Sequence, residues 1–445
     1  MMSTSNSIYD IIIIGCGPAG IAAGLELQNC SSIPKFLILE ARDRVGGRAY
    51  TDTHTFNSSE PIDLGARWIH HYRPENPLAV HHTPSDKDQF LYHFFHGSNT
   101  GFYDIDGSLL SETLLNEAEK FVDDLCENMK EYSLDNEDIS MLDIIRDKYE
   151  KIQDEQMRRL VEMNLAYIEH YEASNLDQLS VKSYLKSDDG IETCDLTLPI
   201  GLGTFIQQIV ERNPLPIQLN TIVTNTDIPS DKNEPIRITT KDNRHYLTKY
   251  VLITIPLGCL KASSIQFTPP LPDWKQNAID QMGFGLLNKI FIQYPSTFWD
   301  EKFDYLFIAS NSFRFFVCHP HDHILVAFVC GDFARKLEQQ TDEEIIEQII
   351  QCLKPIYPKI PKPIKWLVTR WSCDPFAYGA YSNFKVGATH ETSRELAREC
   401  YDNRIHWAGE HTNYGGTIGC VDSAFQSGQR EAKRVYDKLN ILLRE

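Results

Sequence analysis

Residues 9–40 read YDIIIIGCGPAGIAAGLELQNCSSIPKFLILE, and this stretch predicts the fold of the chain. The β-branched apolar run at 11–14 is typical of a strand that is buried on both faces of a parallel sheet. GCGPAG follows, where Gly15 permits a tight turn, Gly17 lets a pyrophosphate approach the backbone, and Gly20 lets the next helix pack close to the strand. These features together are typical of a nucleotide-binding strand, turn and helix.

The helix expected from about residue 18 to 28 directs its free N–H groups and positive dipole end at that phosphate. A second apolar strand at 36–39 ends at Glu40, where an acidic side chain can accept both ribose hydroxyls of an adenine nucleotide. GxGxxG alone is a weak signal, but the strand, the helix and the acid agree here. The stretch therefore predicts a dinucleotide site.

ARDRVGGRAYT follows directly at 41–51, and DLGARWIH occupies 63–70. Gly46 and Gly47 form a second permissive turn, and the Arg48 guanidinium suits a pyrophosphate oxygen. The order of strand, GxGxxG, acid, RxGGR and GAxW resembles the N-terminal pattern of the flavin-containing amine oxidases. The resemblance implies FAD rather than NAD, and an α/β fold in which a Rossmann-type FAD-binding domain is interleaved with an α+β substrate-binding domain.

The composition of the 445-residue chain is typical of a soluble globular protein, with 42% hydrophobic and 24% charged residues. The net charge of −19 argues against a nucleic-acid partner. This negative charge either raises the local concentration of a cationic substrate or only keeps the protein soluble. Eleven cysteines without CxxC pairs predict reduced thiols, no metal site and a cytoplasmic location. No apolar stretch suggests a membrane span, and a monomer or weak homodimer is expected.

The chain is expected to pass between its two domains more than once. A polar stretch at 83–89 marks the first exit, and charged helical spacing between 109 and 186 predicts inserted surface helices. The segments assigned to the FAD-binding domain are 1–90, 195–262 and 390–445. The segments assigned to the substrate-binding domain are 91–194 and 263–389.

The resemblance also implies which residues bind FAD. Glu410 matches an acid of the family, Val223 lies on the strand that passes the adenine, and Trp371 belongs to an aromatic segment that crosses the flavin. A helix from about Cys420 directs N–H groups at a flavin carbonyl or phosphate. The implied set is Gly15, Gly17, Ala19, Gly20, Glu40, Arg42, Gly47, Arg48, Gly65, Ala66, Arg67, Trp68, Val223, Trp371, Glu410, Cys420 and Val421.

Two residues are candidates for catalysis. Lys289 stands at the head of an alternating apolar strand, where a lysine ordinarily extends its ammonium to solvent. In the resembled family the lysine of this segment holds a water against flavin N5, which implies that role here. His70 follows Trp68 where animal polyamine oxidases have a substrate-contacting histidine. A structural histidine is the alternative, and neighbouring His71 leaves the register open.

The substrate-binding candidates include both of those histidines. Glu172, in YEASNLDQLS, is foremost interpreted as a solvated helix charge, and alternatively as a substrate carboxylate like one in plant polyamine oxidases. Tyr381 and Cys420 complete the candidate set. Ala380 stands where monoamine oxidases carry a flavin-linking cysteine, which implies that FAD is bound non-covalently. Tyr378 replaces a common arginine of the family and leaves the substrate contacts there open.

Within the family, GCVDSAFQSG and the run at 287–289 are most similar to fungal polyamine oxidases, since plant members carry tyrosines where this chain has Leu287 and Cys420. The resemblance implies that a hydride passes from spermine, spermidine or an N-acetylated polyamine to flavin N5. O₂ is then reduced to H₂O₂, and the imine is hydrolysed to an aldehyde and a shorter amine.

Other functions remain open at this level. A steroid-binding protein of the same fold would bind without turnover. An L-amino-acid oxidase would need an arginine clamp for the carboxylate, and the sequence identifies none. A histone demethylase is expected to need additional domains for chromatin.

Overall fold

The structure is a computed structural model that describes residues 7–85, 87–91, 99–130, 132, 135–183, 194–415 and 417–442. The helices are α1 (Pro18–Gln28), α2 (Glu112–Lys130), α3 (Met141–Tyr149), α4 (Glu155–Glu172), α5 (Leu202–Arg212), α6 (Leu257–Lys261), α7 (Asp273–Gln281), α8 (Gly331–Leu337), α9 (Asp342–Leu353), α10 (His390–Ala397) and α11 (Val421–Leu442). Within the described ranges, none of these helices has both the length and the apolar character of a membrane span.

The strands are β1 (Tyr9–Ile14), β2 (Phe36–Leu39), β3 (Thr51–Asp52), β4 (Ile62–Asp63), β5 (Trp68–Tyr72), β6 (Gln89–Leu91), β7 (Thr100–Asp104), β8 (Cys194–Thr197), β9 (Ile217–Gln218), β10 (Val223–Asp227), β11 (Ile236–Thr240), β12 (His245–Ile253), β13 (Gln266–Thr268), β14 (Gly283–Phe284), β15 (Leu287–Gln293), β16 (Tyr305–Ala309), β17 (Phe315–His319), β18 (Ile324–Cys330), β19 (Lys365–Val368), β20 (Ser382–Asn383) and β21 (Ile405–Trp407).

The first large sheet carries the glycine turn. Its strand order in the described part of the chain is β13-β10-β11-β12-β1-β2-β9, and β21 also pairs with β12. β1 is parallel to both of its neighbours, and the apolar run at 11–14 is buried. The predicted strands at 11–14 and 36–39 are confirmed, because burying both faces of such a strand removes its side chains from water.

Helix α1 packs closely against α11. Helix α1 begins at Pro18, as the sequence predicts, because proline fits the first turn of a helix. A Cβ built on Gly428 of α11 would lie 2.0 Å from the carbonyl oxygen of Ala19. The two helices therefore make backbone contact near their N-termini, and their apolar faces share one core with the first sheet.

The second large sheet has the order β19-β15-β18-β17-β16-β7 in the described residues. β16, β17 and β18 form an antiparallel meander, and β7 joins β16 in parallel. Lys289 on β15 lies opposite Phe328 on β18. Strand β15 therefore places Lys289 in the second sheet, and the glycine turn that follows β1 belongs to the first sheet and lies far from Lys289 along the chain.

The charged helices predicted between 109 and 186 are confirmed as α2, α3 and α4. Leu160 and Met163 of α4 pack on Phe291 and Phe328 of the second sheet. The opposite face of α4 joins a smaller core with α2 and α3. This packing directs the C-terminal end of α4, at Glu172, toward the site described next. The architecture is the α/β fold expected from the resemblance.

Candidate active site

A cavity of about 1220 Å³ passes between the two large sheets, from the glycine turn after β1 to the C-terminal end of α4. Nearly all of the predicted site residues line it. These are Gly15, Gly17, Ala19, Glu40, Arg42, Gly47, Arg48, Gly65, Ala66, Arg67, Trp68, His70, Glu172, Val223, Lys289, Trp371, Tyr381, Glu410, Cys420 and Val421. Gly20 is not on the wall, and the side chain of His71 lies outside the described residues.

Two of the three glycines in the turn, Gly15 and Gly20, have no space for a side chain. Gly15 has a φ of +107°, and a Cβ there would lie 2.7 Å from Thr254 Oγ1. A Cβ on Gly20 would lie 2.1 Å from the Gly15 carbonyl oxygen, so Gly20 serves the close packing of α1 on β1. Gly17 faces Gly47 across the wall, with a built Cβ still 3.9 Å from the Gly47 Cα. The backbone between them is therefore accessible to a phosphate.

Glu40 is buried at the end of β2 and held in one orientation. Its Oε2 accepts the Cys16 N–H at 2.7 Å and its Oε1 accepts the Arg42 N–H at 2.8 Å. Burial raises the pKa of Glu40, although these two N–H donors and the neighbouring arginines act against the shift. Each carboxylate oxygen keeps a lone pair, so the side chain can also accept ribose hydroxyls.

Arginines bind the loops around this end of the cavity. The Arg42 guanidinium donates to Asp374 at 2.9 Å, which the sequence did not predict. Arg44 donates to the Gly47 carbonyl at 3.0 Å and lies 3.8 Å from the centre of the Tyr50 ring. Arg44 was missed although it lies inside the quoted RxGGR segment, because its contact is with the loop itself.

Arg48 connects the glycine-rich loop to the C-terminal part of the chain. Its Nη1 donates to Glu410 Oε1 at 3.0 Å and to the Ala380 carbonyl at 2.6 Å. Glu410 is buried and also accepts from Ser382 Oγ at 3.1 Å and from the Gly419 N–H at 3.0 Å. Both Glu410 oxygens are therefore bonded to protein, and this acid fixes Arg48 in the wall.

The wall beyond Arg48 is aromatic and apolar. The Trp371 indole N–H donates to the Leu64 carbonyl at 3.2 Å, which holds the ring against Gly65. Cys420 and Val421 lie at the start of α11, where the first backbone N–H groups have no partner within the helix. Val223 begins β10 on the opposite wall, where the sequence predicts the adenine.

Lys289 is buried, with 3% of its surface exposed. Its Nζ donates to the carbonyl oxygens of Asp63 at 2.8 Å and Gly65 at 2.7 Å. A lysine ammonium has three donors, so one is left for a water or ligand in the cavity. Burial lowers the pKa of Lys289 to about 7, with Asp63 opposing the shift and Arg67 adding to it. The amine does not extend to the surface.

His70 forms a pair with Asp195, a residue that the sequence did not predict. His70 Nδ1 lies 2.8 Å from Asp195 Oδ2, and the Tyr171 ring centre is 5.9 Å from that of the imidazole. Burial disfavours the charged imidazolium, but the hydrogen bond and charge of Asp195, with Asp422, outweigh burial and raise the pKa of His70. Asp195 follows an undescribed segment and belongs to no motif, so no sequence signal identified it.

Glu172 lies at the last residue of α4 and lines the cavity. Burial raises its pKa to about 7. Its carboxylate has no hydrogen bond or ion pair with any residue that the structure describes. The interpretation of Glu172 as a solvated charge on the helix surface is wrong, because the side chain is partly buried in the cavity wall.

Two residues of the 369–384 segment fasten the end of α4. The Tyr381 hydroxyl donates to the His170 carbonyl at 2.9 Å, and Asn383 donates to the Glu172 carbonyl at 2.9 Å. Tyr167 and Tyr171 are half-exposed on the outer wall and were missed. Their spacing of four residues on one helix was the available signal.

The whole-chain comparisons agree with this geometry. A family model described as "Flavin containing amine oxidoreductase" matches residues 18–436. "Lysine-specific histone demethylase 1 homolog 3" of Arabidopsis thaliana is 30% identical over 96% of this chain, which spans only 30% of that protein. "Probable polyamine oxidase 4" of the same plant is 29% identical over 99% of this chain and 90% of that protein.

Solved structures give the same fold. Wild-type putrescine oxidase bound to putrescine superimposes with a TM-score of 0.74 at 20% sequence identity, over 97% of this chain and 99% of that one. At this identity the likeness concerns the fold alone. A specific relationship to fungal members stays a prediction.

Proposed function

This chain belongs to the flavin-containing amine oxidoreductases, and on that premise we propose that it is a polyamine oxidase. It is an oxidoreductase that acts on amines with a flavin. The proposed substrates are spermine, spermidine or N-acetylated polyamines. The proposed products are H₂O₂, an aldehyde and a shorter amine, formed in the cytoplasm.

The cofactor is a flavin by family, and the dinucleotide cradle identifies it as FAD. FAD fits the wall because the backbone between Gly17 and Gly47 is not covered by side chains, Glu40 suits the ribose, and Arg48 is held in place. When bound, FAD accepts the hydride and passes two electrons to O₂. Ala380 offers no thiol, and burial raises the pKa of the Cys420 thiol on the wall well above its usual value. A protonated thiol is a poor nucleophile, which supports non-covalent binding.

The observation that carries the polyamine proposal is the acidic end of the same cavity. Among the residues that the structure describes, the Glu172 carboxylate has no hydrogen-bond or ion-pair partner, and Asp195 is bonded to His70 on the wall of the same cavity. Tyr167 and Tyr171 line the same cavity as these charged groups. A polyamine carries cationic nitrogens that are separated by methylene segments, so it suits a wall that has both carboxylates and aromatic rings.

We infer that Lys289 acts beside the reacting nitrogen through a water. Two backbone carbonyls fix its Nζ, which leaves one position on the nitrogen to hold that water, either a third N–H of the ammonium or the lone pair of the uncharged amine. The buried wall excludes other water and favours the uncharged form of the amine that reacts. His70 is proposed to contact a second nitrogen of the substrate.

The cavity arginines argue against an amino-acid substrate. In the described wall, Arg42, Arg48 and Arg314 form ion pairs with Asp374, Glu410 and Glu162, respectively. The remaining arginine, Arg67, donates to His319. Three of the four guanidiniums are therefore already paired with a protein carboxylate, which weakens their attraction for the carboxylate of an amino acid. The demethylase relatives nevertheless favour a second candidate substrate, the methylated lysine of a peptide.

The origin of the strands in the two large sheets supports the proposed division into domains. The first sheet draws its strands from 1–90, 195–262 and 390–445, apart from β13 just beyond them. The second draws its strands from 91–194 and 263–389. The cavity then lies between the proposed FAD-binding and substrate-binding domains.

Anaerobic mixing with a panel of amines tests the function. Spermine, spermidine and their N-acetylated forms should bleach the flavin absorbance faster than benzylamine, L-amino acids or a dimethyl-lysine peptide. Fastest reduction by the peptide would instead support the second candidate. A steroid that perturbs the spectrum, with no amine that reduces the flavin, would contradict the enzyme proposal.

A further inference from the structure

The Arg67 side chain connects the cavity wall to a buried polar chain. Its Nη1 lies 3.1 Å from Nε2 of His319, a residue with no exposed surface. Arginine only donates, so His319 Nε2 accepts and the imidazole hydrogen sits on Nδ1. That Nδ1 lies 2.5 Å from Glu60 Oε2 and donates to it. Arg67, His319 and Glu60 therefore form one continuous chain of hydrogen bonds.

The Glu60 end of this chain of hydrogen bonds is anchored by Asp322. Asp322, three residues after His319, accepts from Ser58 Oγ at 2.6 Å, from the Ser59 N–H at 2.8 Å and from the Glu60 N–H at 3.0 Å. These bonds fasten the 58–60 loop to the end of β17. The loop that carries Glu60 is therefore held by Asp322, and Glu60 in turn holds the His319 ring that accepts from Arg67.

Arg67 and Lys289 meet at the same aromatic ring. The Arg67 Cζ and the Lys289 Nζ each lie 5.9 Å from the centre of the Trp68 ring. The two carbonyls that bind Lys289 Nζ belong to the 63–68 segment that also carries Arg67. One short segment thus binds the lysine and places a second cation near it.

We propose that Glu60 and His319 are positioning residues that hold the Arg67 guanidinium as a fixed positive charge, which favours the uncharged amine of Lys289 over its ammonium. A nearby like charge disfavours ionisation, and it does so most in a buried site. The uncharged amine has a lone pair and can accept a hydrogen from water, whereas the ammonium only donates. Arg67 therefore biases how Lys289 holds the water of the proposed function, on which this inference rests.

The charges that face Lys289 are few. Among the described residues they are Asp63, which favours the ammonium, and Arg67, which disfavours it. The neighbouring strands present Phe328 and Thr369 to Lys289. The Asp63 carboxylate is itself engaged by Thr51 Oγ1 and the Leu202 N–H, and burial raises its pKa. Burial lowers the pKa of Lys289 to about 7. In this pH range, the shift of the Lys289 pKa that removal of the Arg67 charge would cause is readily measured.

The titration of Lys289 can be followed directly by NMR of the holoenzyme labelled with [ε-¹³C]lysine. The Lys289 signal is the one absent from Lys289→Met. We expect Arg67→Met to raise the midpoint of this titration by about one pH unit, a roughly 10-fold change in proton affinity. Arg314→Met, which removes another cavity arginine, should leave the midpoint unchanged. No amine is added, so a wrong substrate class would not affect the result.

Two substitutions of His319 separate positioning from packing. His319→Gln retains an oxygen for Arg67 and an N–H for Glu60, so it should keep the wild-type midpoint. His319→Leu fills similar space without either group, so Arg67 becomes mobile and the midpoint should rise. FAD affinity, followed by flavin fluorescence, should be similar in both variants. Equal midpoints in the two His319 variants, or an unchanged midpoint in Arg67→Met, would overturn the proposal.

Discussion

The two ends of the cavity are built in different ways. At the nucleotide end, Gly15, Gly17, Glu40 and Arg48 come from one continuous stretch, and Glu410 is the distant residue that holds Arg48. Backbone geometry does most of the recognition there, because phosphate binds N–H groups of a turn and a helix start. Such geometry needs glycines at fixed spacing, and it leaves a motif in the sequence.

The amine end has no such continuity. His70 lies on β5, Glu172 ends α4, Asp195 lies on β8, and Tyr381 directly precedes β20. Single side chains from separate elements form this wall, and spacing in the chain does not connect them. The difference indicates that the residues proposed to bind the cofactor can be identified within one stretch of sequence, whereas the residues proposed to bind the substrate come together only in the tertiary structure.

The largest expected effect concerns how the flavin is attached at the nucleotide end, because either all of the flavin or none of it is released from the denatured protein. Acid precipitation of the purified protein should release all of the flavin as intact FAD, because Ala380 provides no thiol for a covalent bond. Absorbance of the supernatant and pellet measures this. Flavin that stays in the pellet would show that a side chain binds it covalently, and the nucleotide end would then not depend on backbone geometry alone.

Lys289→Met tests the point where the two ends meet. The substitution keeps the length and apolar stem but removes the donor for the proposed water. Reduction by amine, reoxidation by O₂, or both should slow by about 100-fold or more, while FAD remains bound. Rapid mixing of the two half-reactions is the measurement. Lys241→Met, which alters another lysine of the cavity wall, serves as the control.

Two outcomes would change the interpretation of Lys289. Unchanged rates in both half-reactions would mean that its buried amine is structural. Loss of FAD from Lys289→Met would instead assign the lysine to the nucleotide end.

Arg48→Ala should affect the nucleotide end alone. It removes a charge-assisted contact worth roughly 1.5 to 3 kcal/mol, so the Kd for FAD should rise by about 10-fold to 160-fold. It also leaves Glu410 buried without its cationic partner. Flavin fluorescence during titration of apoprotein gives the Kd. Arg314→Ala, at the amine end, should bind FAD normally, and equal loss in both variants would remove the contrast between the ends.

Glu172→Gln should produce the smallest effect, confined to the amine end. The Glu172 pKa is about 7, so the carboxyl is neutral below that pH and attracts a cationic amine only above it. The KM of the wild-type enzyme for spermine should therefore fall as pH rises through 7. In Glu172→Gln this fall should disappear, and KM at pH 8 should be about 10-fold higher.

The matched control for that variant is Glu155→Gln, which makes the same change at the exposed start of the same helix. It should retain the pH dependence of KM. The titration of Lys289 lies in the same pH range, but it should appear in kcat rather than in KM. If Glu172→Gln keeps the wild-type KM profile, its carboxylate does not bind the substrate.

Sequence reasoning was accurate where chemistry depends on local backbone. The start of α1 at Pro18 and the end of β2 before Glu40 are both as predicted. It was weaker for Glu172, whose charge-rich helix suggested solvent although its last turn enters the cavity. Asp195 and His319 carry no motif, so nothing in their own segments marked them. Lys289 was identified by resemblance, but its two carbonyl partners lie more than two hundred residues earlier in the chain.

The sequence by itself determined the cradle and its cofactor class, because glycine spacing, strand hydrophobicity and one acid are read within a single stretch. Only the tertiary structure decided which charges meet in the cavity. The pKa of Lys289 depends on burial between sheets and on Asp63 and Arg67, and the pKa of Glu172 depends on burial at the end of α4. Burial and Coulomb interaction depend on distance in space, and separation along the chain does not report that distance.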